Sequence, residues 1–204
     1  MSTDRTSRIA AQLAFVVEID RLKGVLRQTP LCDGSRRENS AEHSWHLAVM
    51  AMLLAEHADA AVNVARVVGM LLVHDIVEID AGDTFAYDAA ANEGRAERER
   101  LAARRIFGLL PAEQGDALRA LWEEFEAGAT ADARFAAAVD RLQPLLANDR
   151  AGGGSWRAHA VGRDQVLRRM APIEGALPAV WPAVLDVVER NCALGHIRAT
   201  EGAA

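Results

Sequence analysis

Residues 64–78 read VARVVGMLLVHDIVE, and this stretch carries the clearest structural signal in the chain. Its apolar residues recur every three or four positions, which is the spacing of a helix that buries one face. The pattern predicts a helix over residues 63–80. Near its end this apolar helix carries three ionisable side chains, those of His74, Asp75 and Glu78. Because Glu78 lies four and three positions beyond the other two, the helix places it on the same face as both.

Helical spacing recurs along most of the sequence. Ser40 stands where an N-cap would begin the second helix, and Pro182 stands at a first helical position. Residues 151–156, AGGGSW, are a predicted loop, and no segment alternates as a good strand would. We therefore expect an all-α fold, a single compact domain over residues 1–204 with about seven or eight helices. The predicted helices cover residues 9–26, 40–54, 63–80, 92–107, 111–125, a stretch from 132 onward, 163–171 and 182–194.

The composition agrees with a helical globular protein. The chain has 204 residues, of which 50% are hydrophobic and 25% charged, as is ordinary for one domain. Aromatic residues make up only 5% and alanine is plentiful, which favours helix over sheet. The formal net charge of −6 makes the chain a poor binder of nucleic acid polymers and anionic membranes. A small phosphorylated ligand held by local arginines is compatible with this charge.

The cysteines and the first residues indicate a compartment. Cys32 and Cys192 lie in no CxxC or CxxH pair and cannot build a disulfide scaffold. The first residues, MSTDRTSRIAAQ, lack the apolar segment of a secretory signal. The longest fully apolar run, residues 47–55, is far shorter than the roughly 20 residues that span a bilayer. We expect a cytoplasmic protein without a membrane partner.

Two further side chains, with the pair His74-Asp75, could form a metal site. His43 shares a helical face with Leu47 and points toward the core, and Asp140 follows a core valine. Burying a carboxylate next to a histidine is costly unless something compensates, and a divalent cation would compensate. Each residue also has a purely structural interpretation. His43 and His74 would then be hydrogen-bonded core histidines, and Asp140 a solvated partner of Arg141.

Two motifs extend this pattern. Residues 37–44 read RENSAEHS, and residues 74–83 read HDIVEIDAGD. Together with Asp140, the order His, His-Asp, Asp resembles the HD-domain superfamily of metal-dependent phosphohydrolases. Both segments are similar to those of the branch that contains the 5′-deoxynucleotidases, and residues 120–125 fit the same branch. The resemblance covers roughly residues 10–195, the expected core of the domain.

The resemblance implies a metal centre. His43, His74, Asp75 and Asp140 would be the protein ligands of one divalent ion. Mixed imidazole and carboxylate ligation suits Mn²⁺, Co²⁺, Fe²⁺, Ni²⁺ or Zn²⁺. The metal would lower the pKa of a bound water, and attack of this water would release phosphate from the substrate.

The resemblance also implies roles for residues around the metal. Glu78 would position the water or handle its proton. Asp83, after Gly82, would protonate the leaving oxygen or grip a sugar hydroxyl, with a plain Gly-Asp turn as the alternative. Arg27, predicted at the end of the first helix, would bind phosphate through its bidentate fork, or it would only complement the helix dipole. Gln28 replaces an aromatic residue of such relatives and is predicted to face the substrate.

The predicted function is a metal-dependent phosphohydrolase that removes phosphate from a small nucleotide, a (deoxy)nucleoside 5′-monophosphate. One alternative is an HD phosphohydrolase for another phosphoester or a pyrophosphate, because residues 84–88, TFAYD, replace the Pro-rich, lysine-bearing loop of such relatives. Another is a non-catalytic, metal-binding regulatory module, against which Glu78 argues because a structural site needs no additional carboxylate. A homodimer is open, since the apolar face of residues 184–188 fits a second copy or the chain's own core equally well.

Overall fold

A computed structural model describes residues 2–199, and in this range the chain is built almost entirely of helices. Two short strands form the one sheet of the described part. Three pieces of 3-10 helix, Asp20–Gly24, Ala55–His57 and Pro178–Val180, connect neighbouring elements. The regular elements are α1 (Ser2–Ile19), β1 (Leu26–Pro30), β2 (Arg37–Asn39), α2 (Ser40–Leu54), α3 (Val64–Val73), α4 (Glu78–Ala81), α5 (Ala89–Asn92), α6 (Arg95–Phe107), α7 (Ala112–Ala127), α8 (Ala131–Arg150), α9 (Gly154–Ala158), α10 (Arg163–Ala176) and α11 (Trp181–Ala193).

The all-α prediction is confirmed, and its helix count holds for the long helices. Eight of the eleven helices in residues 2–199 have ten or more residues. The other three, α4, α5 and α9, have four or five residues each, and periodicity cannot detect so short a helix. The prediction of a loop through residues 151–156 was wrong at its end, where α9 begins and Trp156 is buried.

The prediction of no strand was also wrong, and with it the prediction that Arg27 ends the first helix. The chain leaves its 3-10 turn at Gly24, and β1 pairs antiparallel with β2 through Leu26 with Asn39 and Pro30 with Arg37. Strands of five and three residues are too short to show alternation in the sequence. This ribbon carries Arg27 toward the interior and leads directly into α2.

The first residue of α2 differs from the prediction in an informative way. The N-cap is Asn39, whose side chain accepts from the backbone N–H of Glu42 at 3.0 Å, and the Glu42 carboxylate accepts from the backbone N–H of Asn39 at 3.3 Å. This reciprocal pair is a capping box. Ser40 is therefore the first helical residue, and its hydroxyl is free to bind a residue elsewhere in the fold.

The predicted helix over residues 63–80 is interrupted after Val73. Beyond His74 the backbone hydrogen bonds shorten to three residues, with Glu78 N–H donating to the carbonyl of Asp75 at 2.9 Å. The short helix α4 follows and ends at Gly82, whose φ of +76° is a conformation that favours glycine. The apolar residues continue through this turn at helical spacing, so periodicity alone could not reveal that the helix is interrupted.

Two apolar clusters hold the helices together. The larger lies between α2, α3, α8, α10 and α11, and the smaller lies where α1, α6 and α7 meet the turn after α3. Val184, Val187 and Val188 of α11 are buried in the larger cluster, so this face packs within the chain. None of the helices in the described range is long and apolar enough to cross a membrane. The single-domain organisation over residues 1–204 stays a prediction.

Candidate metal centre

Three separate segments bring the predicted metal ligands together. His43 comes from α2, His74 and Asp75 from the turn after α3, and Asp140 from α8. One donor atom from each of His43, His74 and Asp75 lies within 4.8 Å of the others, and all three residues are buried. Asp140 Oδ1 lies 3.0 Å from His43 Nε2 and 3.8 Å from His74 Nε2. The structure therefore brings the four residues together, and their role as metal ligands stays a prediction.

The hydrogen bond that His74 makes through one ring nitrogen directs its other nitrogen at the cluster. Its Nδ1 lies 2.8 Å from the carbonyl oxygen of Leu71, which can only accept, so Nδ1 carries the hydrogen. The opposite nitrogen, Nε2, is buried without a hydrogen-bond partner, although a carboxylate oxygen of Asp75 lies 3.0 Å away. A divalent cation between these atoms would satisfy both, so the residues present fit a metal ion.

His43 is oriented by two residues that the sequence analysis gave no role. Its Nδ1 lies 3.1 Å from Gln143 Oε1 and 3.3 Å from Glu38 Oε2, and the Gln143 amide donates to the other oxygen of Glu38 at 2.8 Å. These contacts direct Nε2 of His43 toward Asp140. Gln143 could have been found, since it lies three positions beyond Asp140 on the same helical face. Glu38 lies within the RENSAEHS segment quoted above, but the segment alone gave it no role.

The electrostatics of the cluster favour added positive charge. Burial opposes a charge on His74, but the carboxylates of Asp75 and Asp140 raise its pKa well above the ordinary value. Burial likewise opposes the charge of Asp75, yet His74 and Arg27 hold its pKa below the usual range. Two buried carboxylates thus draw a positive charge to Nε2 of His74, and a cation would replace the proton there.

Glu78 lies in the wall beside the cluster and is only 6% exposed. The hydroxyl of Ser40 donates to its Oε2 at 2.7 Å, which fixes the carboxyl group in place. Burial, together with the charge of Asp75, raises the pKa of Glu78 to about 8. Glu78 therefore stands next to the four predicted ligands, and its catalytic role stays a prediction.

Arg27 reaches the cluster from β1. Its Nη1 donates to Asp75 Oδ2 at 2.7 Å and lies 4.0 Å from the carboxylate of Asp83. Burial opposes its charge, but Asp75, Glu78 and other carboxylates raise its pKa above the ordinary range. The alternative of an arginine that complements the dipole of the first helix was wrong, because Arg27 lies on a strand and contacts the cluster.

Asp83 and Gln28 line the cleft above the cluster. Asp83 follows Gly82 at the end of α4 and lines the cleft, and its role in catalysis or substrate binding stays a prediction. Gln28 Oε1 lies 3.3 Å from Nε2 of His159, whose ring stands 4.4 Å from that of Phe85. His159 was set aside by the sequence analysis because it falls on no motif. The structure places it at the rim of the cleft beside Gln28.

The cleft encloses about 830 Å³, part of it open to solvent. Arginine and carboxylate side chains surround the cluster, and aromatic side chains form the upper wall. The charged lining residues are Arg27, Asp75, Glu78, Asp83, Arg95, Glu126, Asp140, Arg141 and Arg169, and the aromatic ones are Phe85, Tyr87, Phe125 and Trp156.

The family model of the HD domain matches residues 19–181, which include every residue of the cluster. The chain belongs to the HD-domain family. HD phosphohydrolases bind a divalent metal ion, and the cluster of His43, His74 and Asp75 could hold one.

Curated relatives of this HD domain carry the name of one activity. The chain is 34% identical to the 5′-deoxynucleotidase HDDC2 of Homo sapiens over 62% of this chain and 63% of that protein. It is 31% identical to the Xenopus laevis HDDC2 over 64% of this chain and 66% of that protein. The matches thus span less than two thirds of these relatives' length.

Solved structures resemble the HD domain over nearly its full length. A crystal structure of a predicted metal-dependent phosphohydrolase from Magnetospirillum magnetotacticum MS-1 superposes with a TM-score of 0.88 and 55% identity. The match covers 94% of this chain and 98% of that one. An HD-domain phosphohydrolase from Listeria innocua shares the fold, with a TM-score of 0.61 and 18% identity over 90% of this chain and 94% of that one.

Proposed function

We propose that this HD domain is a metal-dependent phosphohydrolase that removes phosphate from a small nucleotide, a (deoxy)nucleoside 5′-monophosphate. One observation carries the proposal. Four buried imidazole and carboxylate groups converge at the floor of a cleft, and His74 Nε2 among them has no hydrogen-bond partner. The names of the relatives support the nucleotide. The acidic net charge of −6 supports a small ligand rather than a nucleic acid polymer.

His43, His74, Asp75 and Asp140 would hold one divalent ion, Mn²⁺, Co²⁺, Fe²⁺, Ni²⁺ or Zn²⁺. When bound there, the ion supplies a Lewis acid that polarises a phosphoryl oxygen and lowers the pKa of water. Burial of all four side chains keeps competing water out and holds the donor atoms in one geometry.

Residues around the ligands would bind and orient the substrate. Arg27 offers a guanidinium fork to the phosphoryl oxygens, and its bond to Asp75 holds the fork at the cluster. Glu78, with one oxygen fixed by Ser40, would accept the proton of the attacking water through its other oxygen, in the ionised form that a bound cation beside it would favour. Asp83 would donate to the leaving oxygen or bind a sugar hydroxyl. Gln28, at the rim, would contact the nucleoside.

Phosphate release from a panel of nucleotides tests the proposal. Purified protein is supplied with each candidate metal and with nucleoside 5′-monophosphates, a cyclic nucleotide and pyrophosphate. We expect release from the monophosphates and none above background from the Asp75→Ala variant. Hydrolysis of only the cyclic nucleotide or pyrophosphate would contradict the monophosphate as substrate and favour the other phosphoester or pyrophosphate. Metal binding without any hydrolysis would favour the regulatory module.

We also propose a homodimer, formed through α1 and α2 rather than α11. Each of the two helices exposes apolar residues at positions i, i+4, i+7 and i+8, an apolar face with no partner in the described chain. Such faces mark interfaces, and a second copy would present the same surface. The exposed residues are Ile9, Leu13, Val16 and Val17 on α1, and Trp45, Val49, Met52 and Leu53 on α2.

Light scattering after size exclusion tests the dimer. We expect twice the chain mass of 22.0 kDa for the wild type and a monomer for Met52→Glu. Leu101→Glu is the matched control, because Leu101 is 54% exposed but lies outside both helices. A monomeric wild type would contradict the proposal.

We propose a cytoplasmic location as well. Cys32 is exposed and neither cysteine forms a disulfide, which suits a reducing compartment. Cell fractionation with an antibody to the native protein would test this location, and recovery in a secreted fraction would contradict it.

A further inference from the structure

Two arginines line the Asp140 side of the cleft. Arg169, on α10, places Nη2 3.7 Å from Asp140 Oδ2, its one ion pair within 4.0 Å among residues 2–199. Arg141, on α8, donates from Nη1 to the backbone carbonyl of Ala137 at 2.7 Å. In the described part of the chain, Arg141 has no carboxylate within ion-pair distance.

The other two arginines of the cleft differ from this pair because carboxylates neutralise them at short range. Arg27 donates to Asp75 at 2.7 Å, and Arg95 donates to Glu99 at 2.5 Å. The arginine charge that carboxylates neutralise least therefore lies on the Asp140 side of the cleft, where Arg141 has no ion pair and the Arg169–Asp140 pair is 3.7 Å long.

Leaving this pair without an anion is unfavourable. Arg141 is half-buried in the cleft wall, where its guanidinium lies close enough to that of Arg169 for the two positive charges to repel each other. Two guanidinium groups that repel each other at a cleft wall are stabilised when an anion lies between them. Their planar forks match the paired oxygens of a phosphate group better than a lysine would.

We propose that Arg141 and Arg169 form a phosphate-binding subsite on the Asp140 side of the cleft, distinct from Arg27 on the Asp75 side. The subsite binds a phosphate oxyanion. That oxyanion is either the reacting phosphate, clamped between Arg27 and Arg169, or a second phosphate on the same substrate. The choice between these two sources rests on the proposed phosphohydrolase function, whereas the subsite itself does not.

Calorimetric titration with inorganic phosphate tests the subsite without turnover. We expect Arg141→Gln and Arg169→Gln, in protein with its metal, to weaken phosphate binding at least tenfold. Arg168→Gln is the matched control, because Arg168 is the exposed neighbour on α10, carries the same charge and does not line the cleft. Unchanged affinity in both cleft variants, or an equal loss in the control, would overturn the proposal.

Metal content is measured for each variant, since Arg169 lies beside Asp140. If Arg169→Gln loses metal, Arg141→Gln decides the outcome, because the Arg141 side chain makes no ion pair with a predicted ligand.

Kinetics with a nucleoside 5′-monophosphate and the matching 5′-diphosphate identify which phosphate is bound. If the subsite holds the reacting phosphate, both variants raise KM at least tenfold for both substrates. If it holds a second phosphate, the rise is confined to the diphosphate. Unchanged KM for both substrates would overturn the subsite. Absence of any hydrolysis would count against the proposed function alone, because phosphate binding is measured independently.

Discussion

At the scale of the residue, Glu78 separates catalysis from metal binding. Glu78→Gln keeps the shape and the bond from Ser40 but removes the proton-accepting carboxylate. Because general base catalysis contributes about 10²–10⁴-fold, we expect phosphate release to fall by at least about 100-fold with unchanged metal content. Phosphate release and elemental analysis of the same preparation measure the activity and the metal content. Loss of metal in parallel with activity would instead make Glu78 a ligand.

The orienting role of Gln143 gives a second prediction. Gln143→Ala removes the contact that holds His43 Nδ1, and Glu38 loses its amide partner at the same time. Loss of such outer contacts weakens metal binding about 10–100-fold. Competition with a chromogenic chelator measures the affinity. Gln114→Ala, which removes a surface bond to Gln12, is the control and should leave the affinity unchanged.

The sequence predicts those site residues whose pattern is visible in neighbouring positions, and it misses those that reach the site through contacts between distant helices. His43, His74 and Asp140 stand on predicted apolar helical faces, but spacing left a structural interpretation open for each, and the resemblance to HD domains selected them as ligands. Arg169 reaches the site only because α10 packs against α8, a contact that no local pattern records.

At the scale of the element, the capping box of α2 supports the site from outside it. Asn39→Ala removes the side-chain bond to the N–H of Glu42, and loss of such a cap costs about 1 kcal/mol. We expect the free energy of unfolding, measured in urea, to fall by that amount. Asp88→Ala, at the cap of the four-residue helix α5, should cost less. An equal loss in both variants would contradict the expectation that the cap of α2 contributes more to stability than the cap of α5.

Element prediction succeeded where an apolar stripe was long and failed where tertiary contacts overrode it. The helices α2, α7 and α11 follow their periodicity closely. The break after Val73 does not, because Ile76 and Val77 are as apolar as a continuing helix requires yet pack into the smaller cluster. That break turns His74 and Asp75 into the cluster. The segment that periodicity predicted wrongly therefore supplies two of the four predicted metal ligands.

At the scale of the whole molecule, the metal should stabilise the fold, because its ligands come from α2, α8 and the turn that joins α3 to α4. An ion at about 100 times its Kd adds about 2.7 kcal/mol to the free energy of unfolding. For a domain of this size that raises Tm by roughly 5–10 °C. Calorimetric melting before and after chelation measures the shift. We expect no shift for Asp75→Ala, and equal shifts in both proteins would place the ion elsewhere.

The central claim is that four side chains from three segments hold one divalent ion. Elemental analysis of protein purified without added metal, run beside His74→Ala, tests it most directly. The account predicts about one divalent ion per wild-type chain and a large loss in the variant. A wild type free of transition metal that also fails to bind any on addition, or a variant that retains the full amount, would contradict it.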